Sequence, residues 1–181
     1  SAGLSLSRQL LWWVLLPQLV LWMAGGVEKR AKNRIYKFAK KHPDWHLRIY
    51  RTPAGYRVLV MHKTFDPVAK ETEDFFFSLK ADPIYRQMCK NQRCFRARVS
   101  PKPWRIGVEA HLKPRPGVWP INSERMPERL KWIEAYEKAS YKYASCQFEE
   151  KLGSNIVSSK AEYVRSLHDK YCNANAHWPI A

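Results

Sequence analysis

Arg96 and Arg98, on alternate positions of the phrase Cys94–Ser100 (CFRARVS), are the side chains of this sequence best placed to do chemistry together. Alternation puts Phe95, Ala97 and Val99 on the inner face of a half-buried strand and the two guanidiniums on the outer one. Arg48 and Tyr50 on a neighbouring strand would extend this into a basic aromatic platform, and Lys102, Trp104 and Arg105 follow within a few residues. Such a surface binds anions, because cations pair with phosphate or carboxylate while the rings offer a stacking face. No RNP-like glycine–aromatic motif accompanies it, so the pattern speaks for an anion more than for RNA in particular. The competing reading is a sheet face covered by C-terminal helices, with the arginines paired to Glu134, Glu137 or Glu149.

The other reactive side chains converge less well. Cys89 and Cys94 make one loose C-x4-C pair, with Cys146 and Cys172 far off in sequence, whereas zinc ribbons present two tight pairs. The cysteines are therefore expected to be free thiols acting as small buried hydrophobes, and no metal or cofactor is expected. His62, Lys63 and Asp66 fall where a strand gives way to a helix, a place where catalytic groups gather. A metal-dependent nucleotidyl enzyme would need paired carboxylates on the strands beside them, and those strands carry none. His168 and Asp169 are adjacent on a helix, where neighbouring side chains diverge, so they are not expected to act as a dyad. No Walker loop, Gly-x-Ser-x-Gly, His-Glu-x-x-His or dinucleotide fingerprint occurs, and no catalytic residue is assigned.

The elements that must position these residues are legible from periodicity. Residues 28–41 form an amphipathic helix, with Ala31, Ile35 and Phe38 on one stripe and cations around the rest. His46–Arg51 and Tyr56–Lys63 are strands joined by the turn Thr52-Pro53-Ala54-Gly55. Asp66-Pro67 and Asp82-Pro83 each read as a helix start, with Asp as the cap and Pro in the first turn. After the third strand at Cys94–Ser100, a proline-studded connector runs from Pro101 to Pro120. A long helix is predicted from about Glu124 to Leu152, stopped by Gly153. Ser159 to Glu162 matches a capping box and opens a last helix with Val164, Leu167 and Tyr171 inward. The expected fold is α+β, a ferredoxin-like partial sheet with a C-terminal antiparallel helix pair.

Upstream lies a different kind of segment. Leu10–Val27 is free of charge over eighteen residues, and Glu28-Lys29-Arg30-Ala31-Lys32-Asn33-Arg34 follows at once. That length is about the minimum for spanning a bilayer, and the basic flank marks the cytoplasmic side. Trp12, Trp13 and Trp22 suit the membrane interface, as do Lys29, Arg30, Lys32, Arg34 and Lys37 beside anionic headgroups. A signal-like segment and a buried helix are the alternatives to a transmembrane anchor. Three divisions are expected: an anchor at 1–27, a basic α+β domain with its connector at 28–121, and a helical hairpin at 122–181 packed on that domain. The formal charge is +16, large for 181 residues, and it favours anionic partners. Eleven Lys/Arg lie between Lys29 and Lys63 and nine between Tyr85 and Arg115, with an acidic stretch, Thr64–Pro83, separating them.

Two phrases carry a resemblance: Tyr50 to Leu59 (YRTPAGYRVL) followed by His62, and Cys94 to Arg105 (CFRARVSPKPWR), with Tyr143-Ala144-Ser145-Cys146 further on. In these the chain resembles a group of uncharacterised, membrane-anchored bacterial proteins, over roughly Tyr36 to Ala181. The resemblance implies a bacterial setting and an anchor, and no activity. The expected function is that of a non-enzymatic accessory or assembly subunit on the cytoplasmic side of a membrane. Its basic domain would dock an acidic protein or lipid surface of a larger complex. A membrane-tethered single-stranded RNA- or DNA-binding protein is the alternative, and a nucleotidyl enzyme near His62 and Asp66 the third; a small-molecule substrate is not expected.

Overall fold

Strand β1 (His46–Thr52) is the centre around which the sheet is built, and its alternation explains the rest. Leu47 and Ile49 point to one face; His46, Arg48 and Tyr50 point to the other. Leu47, Ile49 and Tyr50 are completely buried, as a central strand covered on both faces requires. The chain reverses through Pro53-Ala54 into β2 (Gly55–Val60), where Gly55 adopts a φ of +138°, a conformation that L side chains avoid. The hairpin read from the sequence is thus present. On the other edge of β1 lies β3 (Gln147–Gly153), giving a three-stranded antiparallel sheet in the order β2-β1-β3. A bulge interrupts the β1–β3 ladder: Tyr50 faces Phe148, Ile49 faces Glu150, and Glu149 is skipped.

This is a computed structural model, and it describes residues 26–109, 111–112 and 119–181. The fold class is α+β, with five helices among the described residues: α1 (Gly26–Lys41), α2 (Lys70–Leu79), α3 (Pro83–Gln92), α4 (Met126–Ser140) and α5 (Ser159–Cys172). The chain divides into two units, Ser1–Pro43 with Asp66–Arg93, and Asp44–Phe65 with Cys94–Ala181. In the first, α1 buries Ile35, Phe38 and Ala39, and the Phe38 ring meets Phe75 of α2 at 4.9 Å. Asp82 caps α3 by accepting the Ile84 and Tyr85 N–H groups, at 2.7 and 3.2 Å. Asp66 does not cap a helix. It accepts the Val68 N–H in a local turn, and α2 begins only at Lys70. The second unit holds the sheet, α4 and α5.

Several expectations give way here. Cys94–Ser100 alternates but pairs with no strand; the third strand is β3, and the ferredoxin-like order expected from Cys94–Ser100 is replaced by β2-β1-β3. The long helix over 124–152 is two elements: α4 ends at Ser140, Lys142 takes a positive φ of 67°, and the chain re-emerges as β3. A strand therefore lies between the two C-terminal helices, so they are not joined as a hairpin. The proposed anchor, with Trp12, Trp13 and Trp22, lies outside the described residues apart from Gly26 and Val27, which open α1. Among the described residues no helix is long and apolar enough to cross a membrane.

Candidate functional site

Helix α5 turns the wrong face inward for an ordinary amphipathic helix. Ala161, His168, Asp169 and Cys172 are buried, while Tyr163, Val164 and Tyr171 are more than half exposed. The expected inward set Val164, Leu167 and Tyr171 is thus on the outside. The reason is that the polar residues at i, i+3 and i+4 spacing find partners on the sheet. The expected capping box is not used either. Ser158 is the N-cap without a side-chain bond, and Glu162 instead pairs with Arg165.

Backbone pairing brings a distant segment to the end of this helix. After Cys172, Asn173 takes a left-handed conformation and the chain folds back. Ser145 N–H then donates to Cys172 O at 3.0 Å, and Phe148 N–H to Ala174 O at 2.8 Å. These bonds lay Cys146 beside Cys172. One turn earlier, His168 falls on the same helical face as Cys172. From the sheet comes Arg57, which sits opposite Tyr50 on β2 and so shares its face. The ligating atoms of Cys146, His168 and Cys172 all lie within 4.8 Å of one another, and all three residues are buried.

Arg57 Nη1 stands among these three atoms, 2.7 Å from His168 Nε2, 3.5 Å from Cys172 Sγ and 3.7 Å from Cys146 Sγ. Its Nη2 donates to Arg98 O at 2.9 Å. A guanidinium can only donate, so His168 Nε2 accepts and the ring carries its proton on Nδ1. That proton is given to Asp169 Oδ1 at 2.9 Å. The adjacent pair does form a dyad, contrary to expectation, because both residues lie on the buried side of α5 and the short carboxylate turns toward the ring. The other Asp169 oxygen accepts from Arg165 Nη1 at 3.0 Å and Arg48 Nη2 at 3.3 Å. Arg48 also donates to the Tyr50 hydroxyl at 2.9 Å and lies 3.9 Å over the Phe148 ring.

The electrostatics follow from burial and these bonds. Burial opposes charge on Asp169, but hydrogen bonds from His168, Tyr50 and Arg165 and the Arg48 charge hold its carboxyl below the usual range. Burial pushes the Tyr50 hydroxyl up. The neighbouring Cys146 side chain and the His168 imidazole hold Cys172 well below an ordinary thiol. The nearby Cys172 and burial together push Cys146 up. Burial works against charge on His168, yet Asp169 and Cys172 leave its pKa raised. The chemistry available is that of one thiolate, one thiol and an oriented imidazole around a cation.

The residues singled out in the sequence are dispersed by comparison. Tyr50 is fully buried and Arg48 is engaged by Asp169, so both belong to this interior cluster rather than to an outward platform. Arg96 and Arg98 are exposed on an irregular segment, and Arg98 Nε donates to Ser100 O at 3.1 Å. Trp104 is 58 % exposed in a short turn, Pro103–Arg105, with the Lys102 ammonium 5.0 Å from its ring. Arg105 is exposed nearby in sequence. Lys29, Arg30 and Lys37 are exposed on α1, while Lys32 and Arg34 are half-buried. His62 packs against Trp45 and Phe65, at 4.8 and 5.7 Å between ring centres, and its Nδ1 receives the His46 N–H. The signal that sequence reasoning missed was the i, i+4 pair His168 and Cys172, whose third member lies 22 positions before His168.

A depression lined by Phe148, Ala174 and Asn175 borders this region, but none of Cys146, His168 or Cys172 lies in its wall. No family model, curated protein or solved structure matches this chain.

Proposed function

We propose that this chain is a non-enzymatic, membrane-anchored accessory or assembly subunit whose basic domain docks an anionic surface, lipid or acidic protein, of a larger membrane complex on the cytoplasmic side. The observation that carries the reading is the division of labour on α1. Its apolar stripe (Ile35, Phe38, Ala39) is spent inside its own unit, which leaves Lys29, Arg30, Lys37, Lys40 and Lys41 exposed directly after the apolar run Leu10–Val27. Each cation near an anionic headgroup is worth about 1 kcal/mol, so five give a strong, salt-sensitive attraction.

The test is flotation of the full chain with neutral and with anionic vesicles at about 0.05 M salt, where screening is weak. The apolar run contributes to both. The expected result is several-fold more chain on anionic vesicles, and loss of that difference when Lys29, Arg30, Lys37, Lys40 and Lys41 are changed to Gln. Equal partitioning of the native chain would overturn anionic lipid as the docked surface. The single-stranded nucleic-acid reading rests on one observation, the exposed Trp104 ring beside Lys102. It gains if mixed-sequence RNA strips the chain from anionic vesicles and Trp104→Ala abolishes that competition.

A further inference from the structure

We infer that Cys146, His168 and Cys172 form a binding site for a thiolate-preferring divalent cation of the zinc class, whose place among the three ligands is held by the Arg57 guanidinium. The ligand set is the first reason. Two sulfurs and one imidazole nitrogen suit Zn2+, and three protein ligands with one position left for water or another small ligand is a recurring zinc arrangement. Spacing is the second. With bonds of about 2.3 Å to sulfur and about 2.0 Å to nitrogen, neighbouring donors around a tetrahedral ion lie about 3.5–3.8 Å apart. Cys146 Sγ and His168 Nε2 are already 3.7 Å apart, and no pair exceeds 4.8 Å. The remaining approach is about 1 Å at most.

The surroundings supply the third reason. A ligating histidine commonly gives its other ring proton to a carboxylate, which fixes the tautomer and strengthens the donor nitrogen. His168 does this with Asp169, and Asp169 is itself held by Arg165 and Arg48. The lone pair on Nε2 therefore faces the two sulfurs. The fourth reason is that the focus of the three ligands already takes a cation: Arg57 Nη1 lies within 3.7 Å of each. When the metal binds, Cys146 loses its thiol proton to solvent, Cys172 binds as the thiolate, and Arg57 withdraws along β2, still tied through Nη2 to Arg98 O. Arg57 thus competes with the metal, and the bound ion sits with two thiolates in a neutral centre.

The experiment uses the full chain in mild detergent. Metal content is measured as purified, and Co2+ is titrated into chelator-stripped native chain, where thiolate-to-cobalt charge transfer reports sulfur ligation without any substitution. One equivalent of zinc per chain and a saturable cobalt band are expected. Cys146→Ser, Cys172→Ser and His168→Gln lose the band, whereas Cys89→Ser and Cys94→Ser keep it. Asp169→Asn weakens cobalt binding about 10–100-fold, as loss of a carboxylate behind a ligating histidine does, and Arg57→Met binds at least as tightly as the native chain. Native chain that holds no zinc and shows no charge-transfer band overturns the inference. So does a Cys146–Cys172 disulfide in the chain as purified, or a band that depends on Cys89 and Cys94. None of these outcomes bears on vesicle binding, so failure here leaves the docking reading standing.

Discussion

Asp169 accepts from His168, Arg165 and Arg48 while only 5 % of its own side chain is exposed, and that makes it the residue on which the interior of the second unit depends. Replacing it with Asn keeps the shape but removes the charge facing Arg48 and Arg165, whose side chains are 16 % and 24 % exposed. Breaking a fully buried pair costs about 3–5 kcal/mol, and partial exposure of the arginines reduces this to about 2–3 kcal/mol for Asp169→Asn. Urea unfolding at pH 7 measures it, and a loss under about 0.5 kcal/mol, the scatter of ordinary surface changes, would count against the assignment. The pH dependence has a definite sign. The folded pKa of Asp169 is lowered from 3.8, so its stabilisation is complete above that value and is lost as pH falls through the folded one. The native chain should therefore lose more stability than Asp169→Asn between neutral pH and pH values below 3.8; equal acid losses would contradict it.

At the scale of elements, the β1–β2 hairpin rests on Gly55. A Cβ there would meet nothing within 4 Å, so Gly55→Ala is charged only for the backbone conformation at φ +138°. We expect a loss of about 1–2 kcal/mol by urea midpoint, with the fold retained. An unchanged midpoint would mean that the turn relaxes freely. This hairpin was legible in the sequence because turn chemistry and alternation agree there. β3 was not, for a physical reason. Tyr141, Ala144, Phe148 and Leu152 recur at helical spacing, and Gln147-Phe148-Glu149-Glu150-Lys151 has little strand preference; pairing with β1 overrides both. Cys94–Ser100 fails in the opposite sense, since alternation describes one strand but supplies no partner. The Cys146–His168–Cys172 cluster was hidden because it is made by the fold-back after Asn173, a tertiary event that no local spacing announces.

At the scale of the whole chain, a formal charge of +16 sets self-repulsion against folding. Raising sodium chloride from about 0.05 M to about 0.5 M shortens the Debye length from roughly 14 Å to roughly 4 Å. The thermal midpoint of the full chain in neutral detergent should rise with this change. A fall would show that exposed attractive pairs such as Lys70–Asp74 outweigh the repulsion.

The order of strands also has a consequence for synthesis. β1 and β2 are made together, but the partner for the other edge of β1 begins only at Gln147. At about 5–20 residues per second, the residues between Val60 and Gln147 keep a ribosome busy for roughly 4–17 s. Throughout that interval the nascent hairpin shows one unsatisfied edge, bordered by Leu47 and Ile49, to whatever else is being made nearby. The edge closes only once Gln147–Gly153 has been made and pairs with β1.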